Sequence, residues 1–344
     1  MDKKRCLFHS TLLSRLLFLS SLAAAFHVTP ADAQQGRPAD GFSGFVSGIV
    51  GVASVESQFQ TDSGNRITNS LNSSGDKTTV FVPIVPFELA YMKGDWSTQF
   101  YGGIPFENLR EGNFFQAELG VRYWLADNTR LNAAFLAPPF LPDETWSDPF
   151  LLGQPRKETD IDALGFRLRA DNIAGTHWGV RYEFVDREID NEQSGQSLPL
   201  SAAQRQLLER DANYHRFTTT YALPLDGGWW LRPALRLTYS DAEGDANSYS
   251  AIRPELGIAY VADKYDFTLN LSYQSRWYEE ANPIYGRERD SSVYRATAVF
   301  SYQQPFGWEN TRFNVIGSAA YEDSDISFYD SQVLFIGSGL SYSF

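Results

Sequence analysis

The feature that most narrows the fold is alternation with period two, sustained over segments too long for ordinary globular strands. From Tyr265 to Trp277 the odd positions are Tyr, Phe, Leu, Leu, Tyr, Ser and Trp, and the even ones Asp, Thr, Asn, Ser, Gln and Arg. Successive side chains of a strand point to opposite faces, so this segment has one apolar and one polar face. The same division runs through residues 115–125, where Gln116, Glu118 and Arg122 oppose Leu119, Val121 and Tyr123. Helical periodicity is nearly absent. Fourteen alternating segments can be laid out: 42–58, 77–93, 95–104, 113–125, 129–138, 159–174, 177–190, 212–224, 229–242, 247–262, 264–278, 289–303, 310–323 and 331–344. Twelve is the other count, reached if 95–104 and its neighbour are excursions from the wall. Short connections (94–95, 126–128, 175–176, 226–228, 262–264) alternate with mostly long ones (59–76, 139–158, 191–211, 279–288), which gives the fold two unlike ends.

A soluble sandwich also alternates, so three further observations separate the two. Trp96, Trp124, Trp178, Trp229, Trp230 and Trp308 all lie near a short turn, where amphipathic indoles would form a girdle at one membrane face. The segments are 10 to 17 residues long, whereas a tilted membrane strand needs about 9–11 and a globular strand averages about 5–6. The chain ends Leu340-Ser-Tyr342-Ser-Phe344, an ending that resembles the C-terminal strand of bacterial outer-membrane barrels, read by the barrel-insertion machinery.

Composition agrees with export. Residues 1–33 read as a signal peptide: Lys3, Lys4 and Arg5, then an apolar run from Leu16 to Phe26, then the small-residue pattern Ala31-Asp32-Ala33. Cleavage after Ala33 leaves a barrel domain of residues 34–344. Cys6, the one cysteine, precedes the apolar run and leaves with the signal. The remaining 25 basic and 40 acidic residues give a net charge of −15, which excludes nucleic acid as a partner. No apolar stretch beyond the signal reaches the length of a transmembrane helix. The expected fold is therefore all-β, a transmembrane antiparallel up-and-down barrel. Inside hydrocarbon an unpaired strand edge costs several kcal/mol per polar group, so the last strand must close on the first. An even strand count puts both termini at the short-turn, periplasmic end.

Several phrases, Glu144-Thr-Trp146-Ser-Asp148-Pro149, Gly244-Asp245-Ala246-Asn247-Ser248 and Asn282-Pro283-Ile284, together with the final strand, resemble a family of proteobacterial outer-membrane proteins of unknown function. The resemblance runs from about Gly41 to Phe344. It implies a barrel in a Gram-negative outer membrane, surrounded by lipid and lipopolysaccharide, and carries no activity.

Parity assigns the lumen lining: Arg122, Arg167, Arg169, Arg181, Arg232, Arg236, Arg253, Arg276, Arg295 and Arg312 against Glu88, Glu118, Asp171, Glu183, Glu255 and Asp266. An arginine-rich wall in an acidic chain leads to two readings: a pore favouring small anionic solutes, or a ladder of ion pairs bracing a closed wall. A turn centred on Thr176 would pair Arg169 with Glu183 and Asp171 with Arg181. The loop 139–158 carries Pro138, Pro139, Pro142, Pro149 and Pro155 at or near it, with Asp143, Glu144, Trp146, Asp148 and Arg156. It suits either a constriction folded into the lumen or a cap over the rim. Ser201 to Gln204 form a capping box for a short helix in the loop 191–211, readable as a lid, a partner site or an ornament. Catalysis has one candidate, His215 with Ser201, and no paired motif, so the chain reads as no enzyme. The acids from Asp241 to Asp245 lack the spacing of a calcium loop and read as a solvated tip. The sequence implies no cofactor and no resident metal. The function expected is passive, porin-like passage of small hydrophilic, anionic solutes. The alternative is a closed barrel serving as a surface module through its loops.

Overall fold

A computed structural model describes residues 37–105, 116–137 and 143–344. The expected signal peptide, the first residues of segment 113–125 and Pro138, Pro139 and Pro142 lie outside the described residues. The wall has fourteen strands: β1 (Gly41–Glu56), β2 (Lys77–Ile84 continued by Phe87–Lys93), β3 (Thr98–Ile104), β4 (Ala117–Trp124), β5 (Arg130–Ala137, extended by Asp143–Trp146), β6 (Glu158–Asp171), β7 (Trp178–Ile189), β8 (Ala212–Tyr221 continued by Leu223–Pro224), β9 (Trp229–Ala242), β10 (Tyr249–Val261), β11 (Tyr265–Tyr278), β12 (Ser291–Gln303), β13 (Thr311–Ser324) and β14 (Ser331–Ser343). Both parts of β2 pair with β1, both parts of β5 with β6, and both parts of β8 with β9. The break in β2 falls at Val85-Pro86, where proline has no N–H to donate; its carbonyl still accepts from Ser47 N at 2.8 Å.

Every neighbouring pair is antiparallel. The sheet closes through β1 and β14, in register from Phe45 opposite Ser343 to Glu56 opposite Gln332. Gly44 and Phe344 exchange both backbone hydrogen bonds at 3.0 Å, which ties the C-terminal residue into the seam. No edge remains among these strands. The faces are inverted relative to a soluble protein: on β11 the polar Asp266, Thr268, Asn270 and Gln274 are buried while Tyr265, Leu271, Tyr273 and Trp277 stand exposed.

The turn between β6 and β7 corrects one expectation. Arg167 lies opposite Glu183 and Arg169 opposite Arg181, so the turn centres on Gly175 rather than Thr176. Asn172, Ala174 and Gly175 all take positive φ and tighten it. The shift is two residues, and an even shift leaves every side chain on its own face.

The girdle is also corrected. Trp96, Trp178, Trp229 and Trp308 are exposed outward, but Trp124 is buried on the inward parity of β4, with Glu118 and Arg122, and Trp230 shares the inward parity of Arg232. Closeness to a turn sets an indole's height, and parity sets its face.

Candidate functional site: a charged lumen beneath a loop cap

Inward positions between β2 and β13 carry a network of ion-pair clusters. Arg122 makes a two-pronged contact with Glu88, both bonds 2.8 Å, donates to Gln99 at 2.9 Å and stacks 3.7 Å above the Tyr101 ring. Arg167 bridges Glu118 and Glu183, the latter at 2.9 Å, and Arg181 reaches Glu183 at 3.5 Å. Arg130 and Arg169 share Asp171 at 3.0 and 2.8 Å. Glu255 is shared by Arg253 at 2.6 Å and Arg236 at 3.6 Å. Arg276 meets Glu322 at 2.7 Å, Arg295 donates to Gln274 at 3.1 Å, and Arg312 approaches Asp266 at 3.7 Å. Arg232 is buried on the same face. The network thus brings the sequence-assigned lining residues together.

Cations outnumber anions along it. The eleven arginines just named face seven carboxylates, Glu88, Glu118, Asp171, Glu183, Glu255, Asp266 and Glu322. Arg169 opposes Arg181, and Arg236 opposes Arg253, directly across neighbouring strands. Like charges in such pairs repel unless an anion stands between them, and here carboxylates are shared to supply one. Parity on β13 exposes Glu322 as the partner of Arg276, because it lies on the face of Arg312. Arg130 opens β5 and escapes notice because it lies beside the turn.

Above the network the outer loops pack on one another. Phe150, Leu208, Ile326, Phe328 and Tyr329 form a buried apolar cluster, with Phe59, Leu71, Leu198, Leu200, Ile284 and Tyr285 against it. These residues come from the loops after β1, β5, β7, β11 and β13. The loop after β7 starts about half-way around the wall from the seam, so the cluster joins opposite sides of the mouth. Arg156 locks it: the buried guanidinium lies 4.5 Å over the Trp146 ring and donates to the carbonyls of Gln58 at 2.8 Å, Pro149 at 3.1 Å and Asn65. Asp148 accepts from the backbone N–H groups of Phe150, Gly195 and Ser197 at 2.9–3.0 Å. Arg210 ties Glu192 at 2.6 Å and the Trp146 carbonyl at 2.8 Å. Trp146, Asp148 and Arg156 therefore stand in the cap, bonded to neighbouring loops. Asp143 and Glu144 extend β5 above the wall, with Glu144 directly opposite Asp160. Burial pushes the Asp143 carboxyl up to about 7, partly offset by Arg187; burial does the same to Glu144, reinforced by Glu158 and Asp160.

The short helix α1 (Ala202–Gln206) forms with both halves of its capping box: Gln204 N donates to Ser201 Oγ and Ser201 N to Gln204 Oε1. Its loop belongs to the cap through Leu198, Leu200 and Leu208. The 241–247 tip presents Asp241, Glu243 and Asp245 to solvent, as expected, while Gly244 and Asn247 between and beside them dock on the loop after β7. Asn247 Nδ2 donates to the Glu209 carbonyl at 2.9 Å, and Gly244 approaches so closely that a Cβ would meet Glu209 N at 2.5 Å. His215 faces the lipid side among Phe184, Tyr182 and Tyr239, with Nδ1 2.8 Å from the Tyr182 hydroxyl. Ser201 is engaged at the helix cap, so the two are not joined as a catalytic pair. Among the described residues no group of three or more His, Cys, Asp or Glu is placed to hold a metal ion.

A family model described as a protein of unknown function, DUF2860, matches residues 41–343. The chain belongs to this family. The match spans the DUF2860 barrel from the first strand to the last, as the resemblance read from residues 144–149, 244–248 and 282–284 implies. No curated protein is similar in sequence. Among solved structures, a deltaS2 mutant of TodX, a monoaromatic hydrocarbon channel, superposes with a TM-score of 0.51 at 12% identity, covering 96% of this chain and 97% of the other. The outer-membrane channel DcaP of Acinetobacter baumannii gives 0.43 at 12% identity, covering 93% and 100%. An outer-membrane channel of Pseudomonas putida F1 gives 0.47 at 10% identity, covering 92% and 100%. At such identities the TodX likeness shows a shared fold: the DUF2860 chain is a closed outer-membrane-type barrel.

Proposed function

We propose that this protein is a passive, porin-like channel for small hydrophilic anions in the outer membrane of a Gram-negative bacterium. In this reading residues 1–33 are removed on export, and the strand ending at Phe344 is the signal by which the barrel-insertion machinery places the chain in lipid and lipopolysaccharide. The observation that carries it is the cation excess of the lining, with Arg169 opposite Arg181 and Arg236 opposite Arg253. A lumen whose guanidinium groups already share too few carboxylates attracts mobile anions from either side. The lining residues Arg122, Arg167, Arg169, Arg181, Arg232, Arg236, Arg253, Arg276 and Arg295, with Glu118, Asp171 and Glu183, set that selectivity. Asp143, Glu144, Trp146, Asp148 and Arg156 restrict entry from above. No step of chemistry is assigned to any of them.

The cap's own apolar core supports a second reading, a barrel closed at its outer mouth whose loops bind a partner. Purified protein in a planar bilayer separates the two. The channel reading expects current steps with a reversal potential favouring chloride over potassium, reduced by Arg236→Gln with Arg253→Gln. Deleting residues 147–156 would then raise single-channel conductance. Silence in both the intact and the loop-deleted protein would leave the surface module standing.

A further inference from the structure

The outward face of β10 to β14 carries a groove. Across one level of the wall the directly opposed residues run Leu256, Leu271, Ala296, Ala319 and Leu334, so two alanines on β12 and β13 lie between leucines. One step toward the short turns the pattern repeats, with Ala298 opposite Gly317 between Leu269 and Ile336. A Cβ placed on Gly317 would meet nothing within 4 Å, so the floor there is open. Tyr273, Tyr294 and Tyr321 close the groove above, their ring centroids 5.2 and 6.5 Å apart in turn, and Phe300 opposite Val315 bounds it below. The upper part, between the tyrosines and the paired alanines, is a cavity of about 600 Å³ with an apolar lining.

Its place in the wall says what fills it. The groove opens on the face that meets hydrocarbon in an outer-membrane barrel, so its occupant is a lipid's acyl chains. It lies in the outer half of the wall: Ala296 is five residues from the outer end of β12 at Ser291 and seven from Gln303. Hydroxyl groups stand at its upper rim on the same lipid face. Ser275 donates to the Tyr273 hydroxyl at 2.9 Å, and that hydroxyl lies 3.1 Å from Ser292 Oγ. Asp323, exposed on this face, is directly opposite Ser292. A glycerophospholipid would bring its phosphate to this level, against the Asp323 carboxylate. The disaccharide of lipopolysaccharide brings sugar hydroxyls and amides, which the rim can hydrogen-bond.

We propose that the groove seats acyl chains of one lipopolysaccharide molecule, with Tyr273, Ser275 and Ser292 holding its sugar head. The chains pass from hydrocarbon to hydrocarbon, so no water is displaced. Close contact with a fitted wall and hydrogen bonds made at low dielectric supply the preference. The seat lies outside the lumen, and it stands whether or not the barrel conducts.

The test is native mass spectrometry of the full barrel in detergent, titrated with lipid A and, in a parallel arm, with phosphatidylethanolamine. One lipid A should be retained per barrel, about tenfold more strongly than phosphatidylethanolamine. Ala296→Phe with Ala319→Phe, a residue type that strands accept, should abolish retention and leave heat-modified gel mobility as it was. Ala133→Phe, exposed on the outer face of β5, should leave retention intact. Tyr273→Phe with Ser292→Ala keep the groove's shape and should weaken lipid A by about three- to tenfold, with phosphatidylethanolamine unchanged. Retention untouched by the paired phenylalanines, or equal for the two lipids, overturns the proposal. An intact barrel that retains no lipid A overturns it as well; if that barrel is a dimer that the phenylalanines dissociate, a second copy is the occupant. Should the phenylalanines impair folding, the Tyr273 and Ser292 variant decides, and unchanged selectivity there overturns the proposal.

Discussion

In the wall, Arg167, Glu183 and Asn270 are buried while Phe135, Leu271 and Ile336 stand in the open; in the cap, Trp146, Phe150 and Phe328 are buried while Gln196 and Gln204 are exposed. One chain thus buries opposite kinds of side chain a few residues apart, and the solvent explains why. The wall's outer surface meets hydrocarbon, which rewards apolar side chains and forbids an unpaired backbone, so polarity collects inside. The loops emerge into water, where the same residues must hide from it, and they assemble a core of the ordinary kind. The lesson is that the outer loops are a packed layer with its own cohesion, and that wall and cap should respond to different perturbations.

The largest expected effect is on the wall. Glu183→Gln leaves the buried Arg167 and Arg181 without their shared carboxylate, a loss of about 3–5 kcal/mol by analogy with broken buried pairs. The midpoint of heat-modified gel mobility should fall, with the loops keeping their resistance to protease. The converse change is Phe328→Ala. It removes a fully buried ring that packs on Phe59, Phe150 and Tyr285, costing about 3–5 kcal/mol within the cap. Protease should then cut the loops while the wall keeps its midpoint; a matched fall in both would show that wall and cap form one cooperative unit.

Leu271→Arg, half-way along β11 and exposed to lipid, should cost about 2–4 kcal/mol in a bilayer. The same replacement at exposed Gln196 should cost almost nothing, and equal costs would contradict the assignment of lipid to one region and water to the other. The smallest effect concerns pH. The folded cap holds Asp143 near 7, above a carboxylate's ordinary value, so it binds a proton that the unfolded segment releases. Cap stability is therefore greatest near pH 4 and declines as pH rises toward about 7, a trend shared by Glu144. Protease resistance of the loops should be higher at pH 5 than at pH 8, and Asp143→Asn with Glu144→Gln should narrow that difference, the remainder coming from Glu209, Asp211 and Asp330, whose carboxyls burial also raises.

Much of the wall was legible because parity is a local property. The alternation in Tyr265–Tyr278 marks Asp266 and Arg276 as inward and Leu271 and Trp277 as outward whatever the neighbouring strand does, and that division appears in the burial. The girdle shows where height was confused with face: Trp124 lies at a short turn, but its place beside Arg122 on alternate positions turns it inward. Pairing was harder. Arg169 and Glu183 stand on the right face, yet their partners depend on how three positive-φ residues draw the turn to Gly175. The docking of Gly244 on Glu209 and the burial of Arg156 beneath carbonyls from a loop some ninety residues earlier leave no local trace at all.

The amino-acid sequence alone determined that this chain closes into a cylinder with a charged interior, because a two-residue period decides face without reference to any distant residue; the tertiary structure settled its strands at fourteen rather than twelve. Only the tertiary structure decided which arginine meets which carboxylate and that five loops meet over the mouth. Those outcomes depend on contacts between segments far apart in the chain, whose energies exist only once closure has brought them together.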